Sequence, residues 1–391
     1  MDHLSLTCTR HMTLPFDLED MLVRFRPWIE TESPTYDAAA VARMVDLAAA
    51  DCAAAGAAIE VIPGRMGLGP SLRARFPHPD QGSPGILVSG HLDTVHPVGT
   101  LAANPWRREN GRVHGPGTQD MKGGNFVALE AMRQITRAGL RTPLPVTFLL
   151  TPDEEIGTPA TRDLIEQEAR QNLCVILPEP CGPDQGATIG RFAIARYDLV
   201  STGRPSHAGA RLKEGRSAIA LMARKILEIE ALTGEDCTFS VGIVHAGQWV
   251  NCVSSRATGQ ALSMAKTDAD LEDGIARMLA LSETVSEVEF RVTRGVTRPV
   301  WRPGQPKDMK LFGLARRIGA DLGWDLTHRP SGGGSDGNFT GAMGVPTLDS
   351  TGLRGDGLHT LGEFAFEDSF VERARYHAGL FLGITPDLWQ D

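Results

Sequence analysis

The stretch "LPVTFLLTPDEEIG", Leu144–Gly157, is an apolar run that stops abruptly in Asp153, Glu154 and Glu155. Its apolar part, Pro145–Leu150, is short and rich in strand-favouring residues, as a strand buried within a sheet is. A solvated turn at that point needs only Ser or Asn. Adjacent carboxylates there are either solvated acids at a helix N-terminus, stabilised by its dipole, or part of a site. Neighbouring residues project in different directions. One carboxylate can therefore hold a cation while the other faces a water that the cation acidifies, and takes its proton.

Working outward, strand-like runs precede this segment at Ala58–Ile62, Ser71–Phe76 and Gly85–Ser89. Helical spacing is visible at Asp37–Ala55, near Asn125–Ala138 and near Lys307–Leu322. Strands alternating with helices predict an α/β layer with a mostly parallel core. The middle of the chain differs. Arg191–Gly203 alternates with period two, as a half-exposed strand does. A helix near Ser217–Ala231, strands near Thr238–His245 and Ala257–Met264, a helix near Asp268–Leu281 and a strand at Val288–Thr293 follow. That is a βαββαβ-like unit of about a hundred residues, an ordinary domain size. The expected organisation is a discontinuous catalytic domain, 1–190 and 301–391, interrupted by an α+β insertion, 191–300.

The totals agree with two domains. A chain of 391 residues is long for one core. It has 41% hydrophobic and 22% charged residues, as a globular protein does. The formal charge of -9 argues against a nucleic-acid partner. Cys8, Cys52, Cys174, Cys181, Cys237 and Cys252 lie far apart with no C-x-x-C pair. Scattered buried thiols are expected, not a thiolate zinc site, and they suit a reducing cytoplasm. The N-terminal "MDHLSLTCTRHMTLPF" lacks the apolar centre of a signal peptide. No apolar stretch approaches the roughly 20 residues of a membrane helix.

Other acids and histidines stand where β-like runs stop. "ILVSGHLDTV" carries His91 and Asp93, "GPGTQDMKGG" carries Asp120, "VILPEP" carries Glu179 and "GDGLHTLGE" carries His359. Open α/β sheets bind ligands beyond the carboxyl ends of their strands. In extended chain, residues two apart point the same way, so the Asp93 carboxylate can accept the second ring N–H of His91 and fix its tautomer. Each residue also fits a plainer role. The His-Asp pair fits a polar loop, Asp120 a Gly-rich turn, Glu179 an exposed Pro turn and His359 a surface loop. As a set of imidazoles and carboxylates without thiolates, they suit zinc, manganese or cobalt at a hydrolytic two-metal site.

The ordered motifs "SGHLDTV", "GPGTQDMKGG", "TPDEEIG", "PEP", "SHAG", "GGGSDGNF" and "HT" resemble the aminoacylase and glutamate carboxypeptidase family of two-zinc exopeptidases. Acetylornithine deacetylase and succinyl-diaminopimelate desuccinylase are relatives in it. The likeness runs over nearly the whole chain. It implies a mixed-sheet α/β catalytic domain with an inserted dimerisation and lid domain. It implies that His91 and Glu179 hold one metal, that Glu155 and His359 hold the other, and that Asp120 bridges them. Asp93 would orient His91, Glu154 would be the general base, and a cis peptide would follow Asp120. His207, in "RPSHAG", would reach the neighbouring protomer's site and stabilise an oxyanion. Asn251, in "WVNCVSSRA", would touch substrate. Gly332, Gly333 and Gly334 would cup a substrate carboxylate with free N–H groups.

One departure stands out. Relatives carry Asp-x-Arg in the strand after that asparagine, where this chain has Leu262, Ser263 and Met264. Arg294 or Arg298 is the expected substitute. The expected activity is hydrolysis of an amide beside a free carboxylate. Attack on a non-peptide C–N bond, an unusual amide or an aryl amine, is the alternative. A catalytically silent scaffold would have lost a ligand or the base, and none is missing.

Overall fold

The computed structural model describes residues 10–390, so Cys8 lies outside the described residues. The chain divides into two compact units. The first comprises residues 1–190, 302–330 and 335–391, and the second comprises 191–301 and 331–334. Residues 331–334 and Trp301, expected with the catalytic domain, thus cluster with the insertion. Their packing explains it. The Arg191 guanidinium donates to the carbonyl of Gly333 at 2.6 Å, and Arg191 and Trp301 exchange backbone hydrogen bonds.

The first unit is built on a six-stranded sheet ordered Ala58–Ile62, Ser71–Arg75, Val146–Thr151, Ile86–His91, Cys174–Ile176, Thr347–Leu348. The contacts from Val146–Thr151 through Thr347–Leu348 are parallel, while Ala58–Ile62 and Ser71–Arg75 run antiparallel at one edge. The sheet is therefore mixed. Its two central strands, Ile86–His91 and Val146–Thr151, are buried along their whole length, which requires cover on both faces. Leu87, Leu149 and Val175 pack with Ile165 and Ala169 of the helix Arg162–Arg170 on one side. On the other, Phe148 meets Phe76 and Phe381 of the helix Glu367–Gly383 edge to face. Alternation along the strands sends these side chains to opposite faces.

A smaller four-stranded antiparallel sheet, Gly355–Asp356, Phe364–Phe366, Arg112–His114 and Arg107–Glu109, lies in the same unit. The helix Lys122–Arg137 begins just after it. Its buried Lys122 ammonium donates to the carbonyls of Trp28 and Thr31 at 3.1 and 2.7 Å. Those carbonyls lie at the end of the helix Leu18–Glu30.

The second unit is a five-stranded antiparallel sheet ordered Cys237–Ala246, Arg256–Ala265, Ala193–Thr202, Val288–Arg298, Glu283–Val285. Ala193, Ala195, Tyr197 and Leu199 turn one face inward. Leu221, Met222 and Ile229 of the helix Ala218–Glu230 and Leu271, Ile275 and Met278 of the helix Asp268–Ala280 pack on it. A short ribbon, Ser206–His207 with Cys252–Val253, lies outside that sheet. Cys52, Cys174, Cys181 and Cys237 are buried free thiols, and burial raises the pKa of each. Cys252 departs from the expectation of buried thiols, since it is exposed on its two-residue strand.

Candidate metal centre

The strand Ile86–His91 ends on His91, and Val146–Thr151 runs parallel beside it into the 3-10 turn Glu154–Ile156. Cys174–Ile176 on the other flank leads to Glu179. Parallel pairing thus delivers His91, Glu155 and Glu179 to one edge of the sheet. Asp120 reaches them from the loop before Lys122–Arg137, and the Asp120–Met121 peptide is cis. His359 sits in the turn between Gly355–Asp356 and Phe364–Phe366, with a left-handed φ of 61°.

Two triads result. Ligand-capable atoms of His91, Asp120 and Glu179 lie within 4.8 Å of one another, and so do those of Asp120, Glu155 and His359. Asp120 belongs to both. Its Oδ1 is 3.3 Å from His91 Nε2 and its Oδ2 is 3.2 Å from His359 Nε2. His359 Nε2 also lies 3.3 Å from Glu155 Oε2. Glu154, although adjacent to Glu155, belongs to neither triad.

The electrostatics suit a cation. Burial, with the Asp120 charge next to it, pushes Glu155 up to about 8. Burial also raises Glu179 well above the usual carboxylate range. Burial opposes charge on His91 too, but hydrogen bonds with Asp120 and Asp93 outweigh it and raise its pKa. Hydrogen bonds with Asp120 and Glu155 lift His359 to about 10. Asp120 is held low by its two histidines against the cost of burial. Three buried carboxylates so close together repel, and protons on the imidazoles relieve that repulsion. A divalent cation would relieve it more strongly and free the imidazole nitrogens to ligate. The donor set fits metal ions.

Asp93 approaches His91 with both its main chain and its side chain. The close partner of His91 Nδ1 is the backbone carbonyl of Asp93, at 2.9 Å, while the carboxylate stands at 3.4 Å. The carboxylate also accepts from the Thr35 hydroxyl at 2.6 Å and from the backbone N–H groups of Glu154 and Glu155 at 3.3 Å each. Asp93 therefore faces His91 with its main chain and its carboxylate, and the same carboxylate holds the backbone of the two glutamates. The glycines after Asp120 sit where backbone passes close by. A Cβ on Gly124 would lie 1.8 Å from the carbonyl oxygen of Pro178, and one on Gly123 2.2 Å from that of Thr118. These glycines let backbones meet beside Glu179.

His207, Asn251, Arg294, Arg298 and Gly332–Gly334 belong to the second unit. His207 Nδ1 accepts from the backbone N–H groups of Gly209 and Ala210 at 3.2 and 3.1 Å. Its proton must then sit on Nε2. Asn251 accepts from the Ala208 N–H through its carbonyl, beside that ribbon. Arg294 is partly exposed and donates to Thr297 Oγ1 at 3.0 Å. Arg298 is buried, and a Cβ on Gly334 would meet its Cδ at 2.9 Å. Met264, at the position of the missing arginine, faces Gly332 in the same way, 3.5 Å from a Cβ placed there. Sequence reading missed Thr35, Gln119 and Glu363, whose contacts depend on pairings that no local pattern encodes.

A sheet edge gathering carboxylates and imidazoles into two triads with a shared acid suits a metal-dependent hydrolase. Residues 87–382 match Peptidase family M20/M25/M40, and the chain belongs to that family, which makes it one of the peptidase and amidohydrolase class. It is 31% identical to "Carboxypeptidase G2" of Pseudomonas sp. (strain RS-16) over 315 residues, covering 77% of this chain and 74% of that protein. The fold resembles that of the di-peptidase Dug1p from Saccharomyces cerevisiae, with a TM-score of 0.76 at 15% identity over 97% of this chain and 98% of that one. It also resembles the M20 family metallo-carboxypeptidase Sso-CP2 from Sulfolobus solfataricus, with a TM-score of 0.73 at 15% identity over 94% of this chain and 99% of that one. No helix among the described residues is long and apolar enough to cross a membrane.

Proposed function

We propose that this enzyme is a two-metal carboxypeptidase or N-acyl-amino-acid hydrolase. The carrying observation is Asp120, whose two oxygens face His91 and His359 separately. His91 and Glu179 would hold one ion, Glu155 and His359 the other, with Asp120 between them. Zinc suits this donor set, with manganese or cobalt as substitutes. When bound, the ions supply Lewis acidity toward the scissile carbonyl and toward an attacking water. Glu154 takes the proton from that water and passes it to the leaving amine. Asp93 holds the Glu154–Glu155 turn in place. His207, protonated on Nε2, donates to the developing oxyanion. Arg298, lying against Gly334, is better placed than Arg294 to hold a substrate carboxylate near Gly332, Gly333 and Gly334, with Asn251 as a further polar contact. Similarity to a carboxypeptidase weighs against the unusual-amide and aryl-amine alternatives.

The second unit would dimerise. Its edge strand Cys237–Ala246 exposes Ile243 and Val244, and its helix Ala218–Glu230 exposes Ile219 and Leu227. An antiparallel edge strand can pair with its own copy about a two-fold axis. His207 would then act on the partner's site. Buried thiols and the free state of every described cysteine support a cytoplasmic location.

The test is Glu154→Ala, assayed with added zinc, manganese or cobalt against N-acyl amino acids, dipeptides and aryl amines. Turnover of an N-acyl amino acid or dipeptide should fall by about 10²–10⁴-fold while metal content is retained. A variant with full activity would refute the role of Glu154. A wild-type enzyme that acts only on aryl amines would refute the substrate class.

A further inference from the structure

Building on the shared-ligand reading of Asp120, we propose that Glu363 is the positioning residue of that bridging carboxylate. It would lock the loop that carries Asp120 to the hairpin that carries His359. Glu363 is 1% exposed. Its Oε1 accepts from the backbone N–H groups of Gln119 at 2.8 Å and Asp120 at 3.0 Å. Its Oε2 accepts from that of Gly117 at 2.9 Å and lies 3.2 Å from His96 Nε2. One carboxylate thus absorbs three main-chain donors from a four-residue span ending on the metal ligand.

The topology makes this more than local neutralisation. Glu363 directly precedes the strand Phe364–Phe366, which pairs with Arg112–His114 at the start of the same loop. That strand also closes the turn bearing His359. The Glu363 side chain and the strand pairing therefore fasten the two ligand-bearing segments at two points. The side chain of the neighbouring Gln119 donates to the carbonyl of Cys181 at 3.0 Å, which ties the loop to the segment of Glu179 as well. A bridging carboxylate must aim its oxygens in two directions at once, so its backbone has to be pinned. Charged acceptors bind N–H groups more strongly than neutral ones. Glu363→Gln would remove the charge and turn an NH2 group toward donors.

The experiment uses the full-length protein loaded with cobalt(II). Glu363→Gln should remain folded and lose about 10–100-fold in cobalt affinity, measured by chelator competition. Its visible cobalt spectrum should change, and kcat should fall with KM nearly constant. Glu130→Gln is the control. Glu130 is equally buried but is held by Arg24, Arg133 and Gln134 far from the ligands in the hydrogen-bond network. It should lower the melting temperature and leave the cobalt spectrum unchanged. If Glu363→Gln does not fold, Glu363→Asp, which keeps the charge but shortens the reach, is read in the same assays. A folded variant at position 363 with wild-type cobalt affinity and spectrum would overturn the proposal. Failure of the wild-type protein to bind cobalt would overturn the metal reading beneath it, and is distinguished by appearing without any mutation.

Discussion

His207 illustrates what a single side chain hides from its sequence. "RPSHAG" marks a histidine but not its proton, and the tautomer follows only from two backbone donors folding onto Nδ1. His207→Ala should lower kcat by about 10²–10³-fold with little change in KM, read from steady-state kinetics on an N-acyl amino acid. The candidate ligands were legible because each stands at the end of an apolar run or in a glycine-rich loop. The role of Asp93 was legible only in part. Spacing of two residues places it near His91, but whether the main chain or the side chain makes the closer contact depends on the loop's actual path. The choice between Arg294 and Arg298 depends on strand alternation past an irregularity in register between Arg294 and Thr297, which no pattern announces.

Among the elements, the central strands and amphipathic helices were legible because burial imposes period two or period 3.6 on their side chains. Leu18–Glu30 and Glu367–Gly383 were not. The first carries Pro27 within its last turns. The second is buried nearly all round toward its end, which erases a one-sided pattern. That last helix also holds His377, whose Nδ1 lies 2.9 Å from the Arg373 carbonyl and Nε2 3.0 Å from Thr351 Oγ1. Burial, aided by the Arg373 charge, lowers its pKa from 6.5 to about 4. Above pH 6.5 neither folded nor unfolded protein carries this proton. Between 6.5 and 4 only the unfolded chain binds it, so stability falls as pH falls. The loss should approach roughly 3 kcal/mol by pH 4. Urea unfolding of wild type and His377→Asn between pH 4 and 7 should show a flatter pH dependence in the variant. Helix packing yields a second expectation. Gly124→Ala sets a methyl against the Pro178 carbonyl. It should cost about 1–3 kcal/mol, seen as a lower melting temperature, and weaken metal binding through Glu179.

At the scale of the molecule, the insertion was legible as a change of hydrophobic period near Arg191 and a return to α/β spacing after Trp301. The membership of Ser331–Gly334 was not, because it comes from contacts made across more than a hundred residues of chain. Assembly can be tested without a structure of the dimer. Glu154→Ala and His207→Ala should each retain only a small residual activity alone. Mixed and allowed to exchange subunits, they should recover about a quarter of wild-type activity, since half of random dimers are hybrid and each hybrid has one intact site. No recovery despite exchange would place His207 in its own subunit's chemistry. Stripping the metals with a chelator should lower the melting temperature, because the ligands join segments from His91 to His359.

Within the metal-bearing unit, Gly190 and Pro303 touch: a Cβ on Gly190 would stand 2.8 Å from that of Pro303. Threading through this host, the chain leaves for its long excursion and returns from it at nearly one point, and only the four residues 331–334 leave again. For the host's closure entropy, a guest of any length whose own ends meet is equivalent to the tip of a hairpin. The seam is therefore a natural splice point, where the resident module can be exchanged for a short turn or for an unrelated domain with adjacent termini.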